Sequence, residues 1–276
     1  MKTQLFTVVI KRLALAASLT TSLGFADSRA LAASDNSSSC AALPSHAQLR
    51  SVLQAVVALG GNGGLGNDMW GTVVNRDGVV CAVVFTGADR GSQWLGSRVI
   101  SAQKANTANA FSRPRGVIGF AGALSTANLF AAVQPGGSLF GLQHSNPVDA
   151  EAAYQGNAAN FGQPNDPLVG EKVGGVNVFG GGLALYNPAG DFVGGLGVSG
   201  DTSCADHIIA WKVRHDLNLD NVPAGISVTG DDNIIFAPSS GLQAAFAHPN
   251  CAPVGDPKAI AEALPKTHPI GPNLKP

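Results

Sequence analysis

Residues 69–86, Met-Trp-Gly-Thr-Val-Val-Asn-Arg-Asp-Gly-Val-Val-Cys-Ala-Val-Val-Phe-Thr, decide the fold. Two runs rich in β-branched residues, 69–75 and 79–86, flank Arg76-Asp77-Gly78. Asp-Gly between such runs signals a hairpin, because Gly accepts a positive φ without steric cost. Before this hairpin, Leu49, Val52, Leu53, Val56 and Val57 recur at helical spacing. They predict a helix over 44–59, with Pro44 in its first turn. After it, 97–111 reads as a second helix. Strand signals return at 176–179, 183–187 and 191–199, with Pro188-Ala189-Gly190 as a turn, and a helix over 203–217 follows. Adjacent hairpins imply an antiparallel sheet whose faces the helices must cover, so the fold class is α+β in a single domain.

The stretch 113–175 is rich in Gly, Pro and Asn and is expected to hold short helices near 125–133 and 149–154. It is too long for an ordinary connection and reads as a lid or an assembly surface. The chain thus divides into a leader at 33–43, a domain at 44–217 with this irregular insertion, and a loop-rich tail at 218–276. Three prolines among residues 266–276 predict a mobile end.

The first 32 residues have the form of a signal peptide. Lys2, Lys11 and Arg12 precede an apolar core at 13–25, and Ala30-Leu31-Ala32 offers a small-x-small cleavage pattern. The core is too short to span a bilayer, and Asp27 and Arg29 soon interrupt it. Cleavage after Ala32 removes four basic residues and one acidic residue, leaving 244 residues with a net charge of −4. Such a chain carries no electrostatic footprint for nucleic acid or anionic lipid. No later stretch is long and apolar enough to span a membrane. A periplasmic or secreted location is expected. In that setting four cysteines predict disulfides, and their order along the elements favours Cys40–Cys81 and Cys204–Cys251.

Residues 61–66 and 195–200 both match G-x-G-x-x-G. The first follows a helix and leads into a strand, the reverse of the dinucleotide-binding context; the second lies within a hairpin strand without βα units around it. Ser199-Gly200-Asp201-Thr202-Ser203 could present N–H groups to an anion, or cap the helix that follows. Cys204-Ala205-Asp206-His207 lacks the second Cys of a covalent haem attachment site, and no G-x-S-x-G, Walker or HExxH motif occurs. On the last helix His207, Trp211 and His215 are spaced four apart, with Arg214 beside them. Such a face could hold a flat anionic cofactor, His207 ligating iron, Trp211 stacking and Arg214 pairing with a propionate. By spacing alone the ordinary reading is the polar side of an amphipathic helix, since surface His and Arg on helices are commonplace. Lys104 and Thr107 share a face of the second helix and could bind a carboxylate.

Ser101-Ala102-Gln103-Lys104-Ala105-Asn106-Thr107-Ala108 resembles the "KAxTA" helix of the GlcG/HbpS-like haem-binding family. Residues 181–186 resemble that family's "GG-x-P-I" strand, and 193–200 its "vvGaiGVSG" strand. Asp206-His207-Ile208-Ile209-Ala210 falls where the family has an acidic residue and an "xIA" helix. The resemblance covers most of 45–112 and 176–217. It implies an antiparallel sheet flanked by helices, haem as cofactor, haem storage, sensing or degradation as role, and frequent homo-oligomers. Lys104, Thr107 and Asp206 are the positions it carries over, and His207 is added from the helix face. The sequence departs from the pattern at Asn75, where the family has Asp, at Leu183-Ala184-Leu185, and in the insertion. Two other readings stand beside haem binding: a binding protein or enzyme for a small carboxylate such as a hydroxy acid, and an oligomeric interaction module.

Overall fold

The computed structural model describes residues 40–115, 122–236, 241–251 and 255–271. The expected signal peptide, most of the leader and residues 272–276 lie outside them. Four strands form one antiparallel sheet: β1 (Trp70–Asn75), β2 (Val80–Phe85), β3 (Gly182–Tyr186) and β4 (Phe192–Ser199), in the order β2-β1-β4-β3. The β1–β2 turn works as the Asp-Gly step predicts, with Gly78 at φ 77°. Asn75 Oδ1 accepts from the N–H groups of Asp77 and Val79 at 2.9 and 3.0 Å. An amide oxygen here does the turn-holding work of a carboxylate, which explains how Asn serves in place of Asp.

Helix α1 (His46–Leu59) starts two residues later than Pro44 suggests. Ser45 caps it, and the Gln48 side chain returns a bond to the Ser45 N–H, completing a capping box. Helix α2 spans Ser97–Phe111, as the pattern predicts. Two short helices, α3 (Leu142–Ser145) and α4 (Ala150–Tyr154), lie in the insertion, where 3-10 turns also occupy Thr126–Leu129 and Ala131–Val133. Helix α5 spans Ser203–Asp216. Helix α6 (Pro257–Thr267) adds order to the segment read as a loop-rich tail. Asp256 caps it, Pro257 occupies its first turn, and Ala261 and Leu264 are buried.

The sheet is covered on both faces. On one side α1 and α5 pack Leu49, Leu53 and Ile208 against Val73, Leu183, Leu196 and Val198. On the other, α2 lays Val99, Ala102 and Ala105 over Trp70, Val74 and Val83. The alternation of β1 side chains between the two clusters follows from the two-residue period of a strand. Contact between α2 and β4 is close because the strand presents glycines. A Cβ at Gly197 would sit 1.9 Å from the Ser101 carbonyl oxygen, and one at Gly195 2.2 Å from that of Ala105.

The expected strand at 176–179 does not form. Its N–H groups bond to side chains instead of a ladder: Asn177 N donates to Thr107 Oγ1 at 3.0 Å, and Phe179 N to Asn177 Oδ1 at 3.1 Å. The insertion seals the edge of β2, where Val80 N donates to Glu171 O and Gly170 N to Val80 O, both at 2.9 Å. A buried pair between Arg98 and Asp166 pins it to α2. Disulfides join Cys40 to Cys81 and Cys204 to Cys251, the pairing that chain order favours. Among the described residues no helix is long and apolar enough to cross a membrane.

Candidate functional site

The six residues picked from sequence separate into three settings. Lys104, in the middle of α2, reaches Asp206, in the first turn of α5, with Nζ and Oδ2 2.6 Å apart. Lys104 Nζ also donates to Val198 O at 3.0 Å, and Asp206 Oδ1 accepts from Asp201 N at 2.9 Å. The pair therefore joins helices from opposite faces of the sheet beside the end of β4. Burial pushes the Lys104 ammonium down and the Asp206 carboxyl up to about 6, each opposed by the charge of its partner. At neutral pH the geometry is that of a hydrogen-bonded ion pair.

Thr107 lies one turn further along α2. Its hydroxyl donates to Gln103 O at 2.7 Å and accepts from Asn177 N, so it anchors the 176–179 segment rather than facing a ligand.

His207, Trp211 and Arg214 are interior residues, not a free polar face. Arg214 grips Asp232 through two bonds of 2.7 Å and reaches Ala184 O at 3.1 Å. Trp211 Nε1 donates to His268 O at 2.9 Å. His207 Nε2 lies 3.1 Å from Asn233 Oδ1 and 3.0 Å from Ile234 N. Burial lowers its pKa to about 4, so the ring is neutral. The exposed face expected for a flat cofactor is covered by the segment around 231–235 and by α6. The three share one side of α5, as their spacing predicts, but tertiary packing turns that side inward. His215, at the margin, pairs with Asp220 at 2.7 Å.

A cavity of about 270 Å³ opens above the Lys104–Asp206 pair. Ser199 and Ser203 add hydroxyls to its lining, and Trp94, Ile100 and Phe179 add apolar surface. Trp94 and Phe179 are 55% and 47% exposed, high for large aromatics. Trp94, Ser97, Ile100 and Lys104 follow one another at three, three and four residues, which places them along one side of α2 and its approach. That spacing was available in the sequence, as was an aromatic residue within the polar run Gly-Ser-Gln-Trp-Leu-Gly-Ser. The arrangement is a buried Lys104–Asp206 ion pair at the base, the Asp201 carboxylate and serine hydroxyls around it and aromatic surface at the rim.

The glycine motifs have structural work. The loop at 60–66 wraps the Asp201 carboxylate, which accepts from Leu65 N at 2.8 Å and Asn67 N at 3.1 Å. An internal carboxylate occupies those N–H groups. The second match is β4 itself, and Thr202 caps α5 through a bond from Ala205 N.

Haem fits these two regions differently. At His207 and Arg214 its iron and propionates meet enclosed side chains: His207 Nε2 and both Arg214 Nη atoms already serve protein groups, and the unpartnered His207 Nδ1 and Arg214 Nε are buried in the interior. At the Lys104 cavity a carboxylate could meet the ammonium while an apolar ring system lay on the exposed aromatic rim. The volume is small beside the ~300–1,000 Å³ of typical ligand pockets, so a macrocycle would project beyond it.

No curated protein matches the chain. Among solved structures, a PduOC:heme complex is similar at 23% identity and TM-score 0.41, covering 63% of this chain and 93% of its own. A Klebsiella pneumoniae protein, ORFY, is similar at 21% identity and TM-score 0.40, covering 62% and 85%. The family model described as "Haem degrading protein HbpS-like" matches residues 45–214. With well over half its length in that match, the chain belongs to the HbpS-like family.

Proposed function

We propose that the chain is an exported haem- or tetrapyrrole-binding protein that takes an amphipathic carboxylate at the Lys104 cavity. Family membership supports a haem-related ligand. The observation that carries the site is a buried ammonium beneath two half-exposed aromatics, Trp94 and Phe179. A carboxylate would sit against the Lys104 ammonium, and the ring system against the rim. Bound haem supplies iron-centred redox chemistry; the chain supplies the surface that orients it. Storage, sensing and degradation of haem share this binding step. The signal-peptide pattern and the two disulfides support a periplasmic or secreted setting, where oxidised cysteines persist.

Hemin titrated into the purified oxidised protein should give a saturable Soret shift. Trp94→Ala and Phe179→Ala, at exposed positions that leave the core intact, should each weaken it by roughly tenfold, about 1.4 kcal/mol. A wild-type spectrum that does not change on titration rejects the reading.

The cavity's size favours a second reading, a small carboxylate such as a hydroxy acid held wholly inside it. A thermal-shift panel of organic acids should then show stabilisation by particular members, lost in Ser203→Ala. A flat response across the panel rejects it. Homo-oligomer formation, also proposed from the family resemblance, is tested by light scattering of the same preparation.

A further inference from the structure

Ser203 lines the cavity at the start of α5, and behind it stands His248, supplied by a segment beyond the family match. Ser203 Oγ lies 2.8 Å from His248 Nε2. The other ring nitrogen, Nδ1, lies 2.7 Å from the Pro249 carbonyl oxygen. A carbonyl only accepts, so Nδ1 carries the proton and Nε2 presents a lone pair. The Ser203 hydroxyl must therefore donate to His248. Hydroxyl, imidazole and a fixed acceptor form a relay in the order of a nucleophile, its general base and the group that orients the base.

We propose that Ser203 and His248 form a nucleophile–base pair that gives this chain acyl-transfer activity on small carboxylic esters. The hydroxyl oxygen attacks the ester carbonyl carbon while its proton passes to His248 Nε2. The tetrahedral intermediate collapses by breaking the bond to the alkoxy group, which leaves as the alcohol with the proton from Nε2. Water then attacks the acyl-serine, giving its proton to His248, and release of the carboxylic acid returns a proton to Ser203. Lys104, in the same cavity, uses two of its three donors on Val198 O and Asp206 and offers the third to the oxyanion. Gly180 N, which donates to Ser203 Oγ at 2.6 Å, holds that oxygen in place. The cavity volume limits the acyl group to a short one, and the aromatic rim suits an apolar alcohol.

Three further features fix the pair. Cys204 directly follows Ser203 and is bonded to Cys251, three residues after His248, so the disulfide clips the two side chains together across 47 residues. The His248 ring lies against Phe130, centroids 4.9 Å apart. Burial lowers the His248 pKa to about 4, so at neutral pH the ring is neutral and Nε2 faces Ser203 unprotonated. This activity needs no haem, and a chain that fails to bind hemin can still show it.

The test treats the folded, oxidised protein with a fluorophosphonate probe and locates the adduct by peptide mass spectrometry. In parallel, p-nitrophenyl acetate hydrolysis is measured for wild type, Ser203→Ala and His248→Gln. The adduct should lie on Ser203, and both variants should lose hydrolysis by at least tenfold while still melting cooperatively. Wild-type protein that gives no adduct at saturating probe, or an adduct on another serine, overturns the proposal. So does unchanged hydrolysis in either variant. If a variant does not fold, the position of the wild-type adduct still decides.

Discussion

Lys104 of α2 and Asp206 of α5 meet at 2.6 Å with side chains only 1% and 3% exposed, joining the two helix layers past the end of the sheet. Burial strips both groups of most of their hydration, so each depends on the other. Lys104→Met leaves a carboxylate buried without its partner and should cost about 3–5 kcal/mol in denaturant unfolding at pH 7. Lys104→Met combined with Asp206→Leu should recover most of that loss. Equal losses in the single and double variants would mean that packing, not charge, dominates.

Acid should weaken the fold through two histidines. His207 and His248 sit at about 4, against an ordinary 6.5. Between those values the unfolded chain binds more protons, so stability falls as pH drops through the window. Each histidine's displacement corresponds to roughly 3 kcal/mol when fully expressed. Asp206, raised to about 6, acts in the opposite direction over much of the same range. Melting temperatures taken from pH 7 to pH 4 should fall, and His207→Gln should fall less steeply than wild type.

Gly197 is the closest approach between sheet and helix. In Gly197→Ala the new carbon would lie 1.9 Å from the Ser101 carbonyl oxygen, a main-chain atom that moves only if α2 moves. A loss of about 3 kcal/mol or more is expected in chemical denaturation. A near-neutral result would show that α2 can shift on the sheet.

Removing the second disulfide as Cys204→Ser with Cys251→Ser reopens a loop whose ends are 47 residues apart. Loop entropy sets the cost at about 4 kcal/mol. Wild-type protein melted with and without reductant should reproduce the direction, and the double variant should be insensitive to reductant.

Local signals are legible in the sequence because they depend on neighbouring residues. The turn at Arg76-Asp77-Gly78, the limits of α2, and the hairpin strands β3 and β4 all follow from periodicity and turn chemistry. The 176–179 strand failed because Thr107, far away in sequence, takes the N–H of Asn177. Helix α6 forms within the segment that reads as loop-rich, where Asp256-Pro257 is a capping signal. His207, Trp211 and Arg214 do share a helix side, but only the fold shows that 231–235 and 268 close over it.

The sequence by itself determined the layered α+β architecture, the pairing signals of its sheet and the cysteines available for bonding, because each rests on short-range geometry. Tertiary structure alone decided which polar residues face a cavity. Lys104 and Asp206 are 102 residues apart and Ser203 and His248 are 45 apart. No local pattern encodes such meetings; they arise where α2, α5 and the C-terminal segment converge at one end of β4.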